Sequence, residues 1–344
     1  MTMPIDDTLQ RRAFLASAVS GAAAALILPT ERSSATAATP RQQGFGTPRH
    51  ARTDVLDIAY VEMGPPKGRP VLLLHGWPYD IHTYADAAPI LAAAGYRVIV
   101  PHLRGYGPTR FLADATPRNG QQAALAQDAI DLIDALGLDN PIVGGCDWGA
   151  RTACILAVAR PERIRALVSV SGYLIGSQAA NVKPLSPEAE RAWWYQFYFA
   201  TERGRQGYAA NTHAFARLIW QTASPKWAFD DATFARSAAA LDNPDHVAIA
   251  IHNYRWRLGL AEGEARYDAL ERQLAAFPAI RVPTITLEGD ANGAPHPQPQ
   301  DYRKRFEGPY QHRLSTGGIG HNLPQEAPRD FARAIIDADG MAGS

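Results

Sequence analysis

Gly145-Cys146-Asp147-Trp148-Gly149 is the segment that most narrows what this chain can fold into. It follows the apolar run Pro141-Ile142-Val143-Gly144 and precedes an apolar, alanine-rich stretch at residues 150–159 that stops before Pro161. Glycines on either side of a short turn leave room where a side chain would strike neighbouring backbone. The chain can then pass from strand to helix in one step, thrusting the central side chain, here Asp147, beyond the end of the sheet. A strand that feeds a helix in this way belongs to a parallel sheet covered by helices.

The surrounding pattern repeats that unit. Val71-Leu72-Leu73-Leu74 is a short, unbroken apolar run, as a strand buried on both faces requires. Residues 57–63 read as an earlier strand, 97–100 as one stopped by Pro101, and 164–170 as another. Residues 85–94 and 122–136 read as helices closing at Gly95 and Gly137. After Gly172 the rhythm breaks. Residues 177–274 are rich in Trp, Tyr, Phe and Arg, with helical spacing and no strand-like run. Strands resume at residues 282–287, and His312-Arg313-Leu314 is the expected last one. The predicted organisation is a core in two parts, 38–176 and 275–344, interrupted by a helical cap at 177–274.

A carboxylate at the tip of such a turn can attack an sp³ carbon, giving an alkyl-enzyme ester that water must cleave. Asp is also a common helix cap, but the glycines on both sides favour the nucleophile. Ester cleavage needs a base. His321, in Gly317-Gly318-Ile319-Gly320-His321-Asn322, follows the last predicted strand and is favoured among 10 histidines by that position. The oxyanion of ester hydrolysis needs two backbone N–H donors, assigned to Trp148 and to Trp77 in His75-Gly76-Trp77-Pro78. A cis bond before Pro78 would suit that turn.

With these pieces in place the chain resembles the epoxide hydrolases of the α/β-hydrolase superfamily. The resemblance rests on His75-Gly76-Trp77-Pro78, Leu103-Arg104-Gly105-Tyr106-Gly107, the Asp147-Trp148-Gly149 turn and Gly320-His321, and spans nearly all of the chain after the leader. These motifs are shared with haloalkane and haloacid dehalogenases. The resemblance implies two cap tyrosines that hold and protonate the epoxide oxygen. Tyr195, in Tyr195-Gln196-Phe197-Tyr198-Phe199, and Tyr254, in His252-Asn253-Tyr254-Arg255, occupy the matching places. A phenol suits the task, since it donates a hydrogen bond at neutral pH. The alternative is that both are packed cap aromatics, but the two segments falling in the right order favours the functional role. Trp193, Trp194, Trp220, Trp227 and Trp256 point to an apolar substrate pocket, or to packing between cap helices.

Two positions depart from the family pattern. The resemblance implies an acid in a Gly-x-x-Asp arrangement after the Leu287 strand, but the chain reads Gly289-Asp290-Ala291-Asn292. Asn292 can orient His321 without supplying charge. Asp290 could substitute through a shifted turn, or serve only as a turn residue. The second departure is Arg151, four residues after the nucleophile. Haloacid dehalogenases carry an arginine at that spacing for the substrate carboxylate, whereas a surface or ion-paired arginine is the plainer alternative. The activity implied is opening of an epoxide to a vicinal diol. A dehalogenase using Asp147 and His321 is the alternative, with the Trp148 indole against the halide; an impaired binding protein on the same scaffold is the third.

Composition limits the partners. The 344 residues are 46% apolar, enough for a large core, and the formal net charge of +0 with no long basic run argues against a nucleic-acid partner. Cys146 and Cys154 are too few for a disulfide framework and form no CxxC pair. No His, Cys or carboxylate cluster has ligand spacing, so no metal or cofactor is expected, only a small and apolar substrate. Arg11-Arg12-Ala13-Phe14-Leu15, an alanine-rich stretch to Leu28-Pro29 and Ala35-Thr36-Ala37 resemble a Tat-type signal at residues 1–37. Export to the periplasm or beyond is therefore expected. The apolar stretch is shorter than the roughly 20 residues that span a bilayer, which argues against a stable membrane anchor.

Overall fold

The structure, a computed structural model, describes residues 45–343. The leader read at residues 1–37 lies outside them. In chain order come strands Arg49–Arg52 (β1), Leu56–Met63 (β2) and Pro70–Leu74 (β3), helix Ala87–Ala93 (α1), and strands Arg97–Pro101 (β4) and Arg110–Phe111 (β5). Helix Gln122–Ala135 (α2), strand Ile142–Gly145 (β6), helix Trp148–Ala159 (α3) and strand Ala166–Val170 (β7) follow. Eight helices come next: Gln178–Asn181 (α4), Pro187–Ala192 (α5), Trp194–Ala200 (α6), Glu202–Ala210 (α7), Thr212–Ala223 (α8), Asp231–Ala238 (α9), His246–Arg257 (α10) and Asp268–Ala275 (α11). The chain returns with Thr284–Gly289 (β8), Pro299–Tyr302 (α12), Tyr310–Ser315 (β9), Leu323–Glu326 (α13) and Pro328–Met341 (α14).

The strands form one sheet in the order β1-β2-β4-β3-β6-β7-β8-β9, with β5 also paired to β2. Pairing is parallel from β4 through β9, and β2 runs antiparallel to β1, β4 and β5. The unbroken apolar runs now have a cause. Successive residues of a strand face opposite sides, so Val71 and Leu73 join one core cluster while Leu72 and Leu74 join the other. The first cluster packs against Leu91 of α1 and Phe331 and Ile335 of α14; the second against Leu125 and Ile133 of α2 and Leu156 of α3. Each fully buried side chain of this size stabilises the fold by about 1.5–3 kcal/mol. β1 carries no apolar period: Ala51 alone of Arg49-His50-Ala51-Arg52 is buried. Charged residues suit it as an edge strand, where they discourage pairing with other chains.

The helices between β7 and β8 start on local signals. Side chains of Ser177, Ser186, Thr201 and Asp230 accept backbone N–H groups at the heads of α4, α5, α7 and α9. Helix α10 fastens this layer to the loops at the strand ends. His246 Nδ1 donates to Gly105 O at 3.0 Å, Asn253 Nδ2 donates to Gly120 O at 2.5 Å, and His252 Nδ1 accepts from Gly120 N at 3.1 Å. Among the described residues no helix is long and apolar enough to cross a membrane.

Candidate active site

Asp147 sits at the head of α3 with φ 55 and ψ −121, outside the regions an L-residue ordinarily occupies. Holding it there costs on the order of 1–3 kcal/mol, which the tight turn supplies. Gly149 presses against the Leu74 carbonyl, where any Cβ would collide, and Gly145 lies against the Gly149 backbone. The Asp147 side chain makes no capping bond to α3. Instead its Oδ1 accepts from the Trp77 amide at 2.8 Å, and its Oδ2 lies 3.5 Å from His321 Nε2. Burial pushes this carboxyl up, yet the hydrogen bond and charge of His321, with Arg151 and the Trp148 amide, bring it below its ordinary value.

The loop that carries Trp77 is held from two sides. His75 is fully buried and its pKa is lowered to about 4 by that burial, so the ring is neutral; Nε2 accepts from the Leu103 amide at 3.2 Å. The Trp77–Pro78 peptide is cis. The Trp77 indole donates to Tyr208 Oη at 2.8 Å, and Tyr208 in turn bonds His246 Nε2 at 2.7 Å. Arg104, from the Leu103–Gly107 motif, forms a bidentate pair with Asp128 at 2.6 and 2.7 Å, tying the loop after β4 to α2.

His321 lies between β9 and α13. Its backbone N–H donates to Ser224 Oγ at 2.9 Å and to Ala223 O at 3.2 Å, placing the ring against the end of α8. Burial works to lower its pKa, but the bond and charge of Asp147, together with the charges of Glu288 and Glu326, raise it above the ordinary imidazole value. Nδ1 is buried and has no hydrogen-bond partner among the described residues.

Neither acid substitute reaches that nitrogen. Asn292 Nδ2 donates to Glu288 Oε1 at 2.8 Å and to Ser171 Oγ at 3.4 Å, and its Oδ1 accepts from the Ala294 amide at 3.0 Å. All its polar atoms are thus engaged away from the ring, contrary to the sequence expectation that Asn292 orients His321. Asp290 is turned the other way. Its carboxylate accepts the amides of Gly317, Gly318 and Ile319 at 2.9–3.0 Å, so it latches the glycine loop that leads to His321.

Tyr195 on α6 and Tyr254 on α10 face each other with ring centroids 5.3 Å apart, and both pack on Trp77, at 5.1 and 5.2 Å. Burial and the Asp147 charge raise the Tyr195 pKa; burial, Tyr195 and Asp147 raise that of Tyr254, so both phenols stay protonated. Asp147, His321, Trp77, Tyr195 and Tyr254 line one cavity of about 270 Å³. Trp193 and Trp194 belong to its wall. Trp220 and Trp227 instead stack on each other at 5.3 Å, and Trp256 is buried. The Trp148 indole lies 5.9 Å from Tyr254 and outside that wall. Cys146 and Cys154 are buried and free. Among the described residues no group of three or more His, Cys, Asp or Glu is placed to hold a metal ion.

Residues 69–238 match the family pattern of the α/β hydrolase fold. An epoxide hydrolase of Caballeronia sordidicola is 36% identical over 321 residues, covering 83% of this chain and 91% of that protein. The chain belongs to the epoxide hydrolase family of the α/β-hydrolase superfamily. Epoxide hydrolase 2 of Siraitia grosvenorii matches over 122 residues at 35% identity, so this chain spans only 36% of that relative. A Klebsiella pneumoniae crystal structure, of a protein provisionally named an epoxide hydrolase, superposes with a TM-score of 0.85 at 61% identity, covering 85% of this chain and 97% of that one.

Two polar residues of this epoxide hydrolase family member escaped the sequence reading. Glu288, buried at the end of β8, is one of the three acids whose charge acts on His321, with Asp147 and Glu326. An acid closing an otherwise apolar strand was its signal. Arg257 also lines the cavity. It lies three residues after Tyr254 in one helix, a spacing that puts both on the same face.

Proposed function

We propose that the protein opens an epoxide to a vicinal diol through an ester on Asp147. What carries the reading is one arrangement: a carboxylate held between the Trp77 amide and His321, in a cavity that two phenols also line. Oδ1 is engaged by the amide, which leaves Oδ2 to attack a ring carbon. As that carbon–oxygen bond forms, the ring C–O bond breaks and the departing oxygen takes a proton from Tyr195 or Tyr254. Their raised pKa values keep those protons available at neutral pH.

The second half-reaction is set by a charge that disappears. Asp147 is the main group raising the His321 pKa. Once esterified it carries no charge, and burial then favours the neutral imidazole. His321 becomes a base at the moment one is needed. It takes a proton from water, the hydroxide adds to the ester carbonyl, and the developing oxyanion lies at Oδ1 beside the Trp77 and Trp148 amides. Collapse breaks the bond to the alkyl oxygen, and the proton on His321 returns to it as the diol leaves; the proton left on the regenerated Asp147 carboxyl passes to the tyrosinate, restoring both groups. Among the described residues no side-chain acceptor holds Nδ1, so Glu288 and Glu326 support the imidazolium through space.

The test is intact-protein mass spectrometry of His321→Gln incubated with styrene oxide or 1-chlorobutane. Without the base, an adduct of the whole epoxide mass accumulates on Asp147. An alkyl adduct with chloride release, and none from the epoxide, would instead identify a dehalogenase. Absence of an adduct with either, and with any other epoxide or halide tried, would favour the impaired binding protein on the same scaffold.

A further inference from the structure

Of the three arginines in the cavity wall among the described residues, Arg191 is exposed, and the two shielded ones, Arg151 and Arg257, stand without a carboxylate of their own. Arg151, one helical turn after Asp147, donates from Nε to Leu174 O at 3.0 Å. Arg257 lies over the rings of Trp193 and Tyr254 at 5.5 and 5.6 Å. Neither is in an ion pair among the described residues. Several arginines elsewhere that are shielded to a similar degree or more meet an acid: Arg97 meets Glu62, Arg104 meets Asp128, Arg118 meets Asp245, and Arg165 meets Asp339. Glu271, on which the Arg151 charge acts, has its carboxylate engaged by Gln121, Gln122 and the Ala123 amide.

The pair occupies a junction. Arg151 and Arg257 line both the 270 Å³ cavity that holds Asp147 and an adjoining cavity of about 170 Å³, where Gln122, Asn181 and Asn253 add polar wall. We infer that Arg151 and Arg257 form a carboxylate-binding subsite, so the preferred substrate is an epoxide bearing a carboxylic acid. This rests on the epoxide reading for the reactive end and on the arginine pair for the anionic end. Burial, then the neighbouring Arg257 charge, pushes the Arg151 pKa down to about 10, so Arg151 is still charged at neutral pH and is repelled by its neighbour. An anion between them relieves that repulsion, and the planar guanidinium fork matches a carboxylate. A singly charged group suits the place better than a phosphate dianion, because the negative Asp147 lies one turn away.

Calorimetric binding of phenylacetate and phenylacetamide tests the subsite without any epoxide chemistry. The acid is expected to bind the wild-type protein about tenfold or more tightly than the amide. That ratio falls toward one in Arg151→Met and in Arg257→Met, and Arg257→Lys retains part of it. Equal affinity of the two ligands for the wild-type protein overturns the inference, as does a preference that survives both substitutions. Turnover of 3-phenylglycidate against its methyl ester, run in parallel, reports on the reactive end. Selective phenylacetate binding with neither epoxide turned over would sink the epoxide reading and leave the anion subsite standing.

Discussion

The sheet core and the helical layer above it hold their functional groups by different means. In the core the backbone does the holding. Asp147 is fixed by a turn at φ 55 with glycines packed backbone to backbone, and His321 by its own backbone amide, which reaches across to Ser224 and Ala223 at the end of α8 in the helical layer. In the helical layer side chains do it: Tyr195 and Tyr254 are positioned by ring contacts with each other and with Trp77. Backbone placement tolerates almost no change in the residues that make the turn, whereas aromatic packing can be rebuilt around substrates of different shape. Chemistry is thus anchored in the rigid half, and selectivity in the adaptable one.

The comparison is broken most severely at the nucleophile. Asp147→Asn keeps a residue type that accepts positive φ but removes the attacking oxygen, and kcat falls by about 10⁴-fold or more with no covalent adduct by mass spectrometry. Tyr195→Phe and Tyr254→Phe keep the rings and delete only the donors. Each is expected to slow ester formation by about 10²-fold in single-turnover kinetics, with ester hydrolysis little changed. If both half-reactions slowed equally, the tyrosines would be packing residues and the division drawn above would fail. Glu288→Gln separates the halves by pH. It removes a charge that raises the His321 pKa, so the acid limb of the kcat profile, where His321 protonates and ceases to be a base, moves to lower pH. The tyrosine substitutions leave that limb in place. The smallest effect is expected from Trp77→Phe, which loses the indole bond to Tyr208 but keeps the backbone amide; urea denaturation should report a loss of about 1 kcal/mol.

How much could be read beforehand follows the same division. Gly145-Cys146-Asp147-Trp148-Gly149 and the Val71–Leu74 run announce the core because backbone geometry restricts which residues fit, and that restriction is written locally. The two tyrosines needed a family resemblance, since aromatics in a helical segment read equally well as packing. Asn292 misled. Its distance from Gly289 fits the family spacing, but spacing does not say where a side chain turns, and the Glu288 carboxylate draws the amide away from His321. β1 and β5 escaped notice because short, polar edge strands carry no apolar period. Arg257 was invisible for another reason: a cation without a partner is recognised only when its neighbours are known.

Trp77 gives the molecule a property that belongs to neither half alone. Its amide holds the nucleophile, its indole is bonded to Tyr208 on α7, Tyr208 to His246 on α10, and His246 to the Gly105 carbonyl back in the core. The links close a circuit. A lid that lifted away would have to open that circuit, and two of its links run through the loop carrying the oxyanion donor or the residue bonded to it. The helical layer and the loop that holds the nucleophile are thus fastened to each other, so the one cannot lift without first giving up its bond to the other.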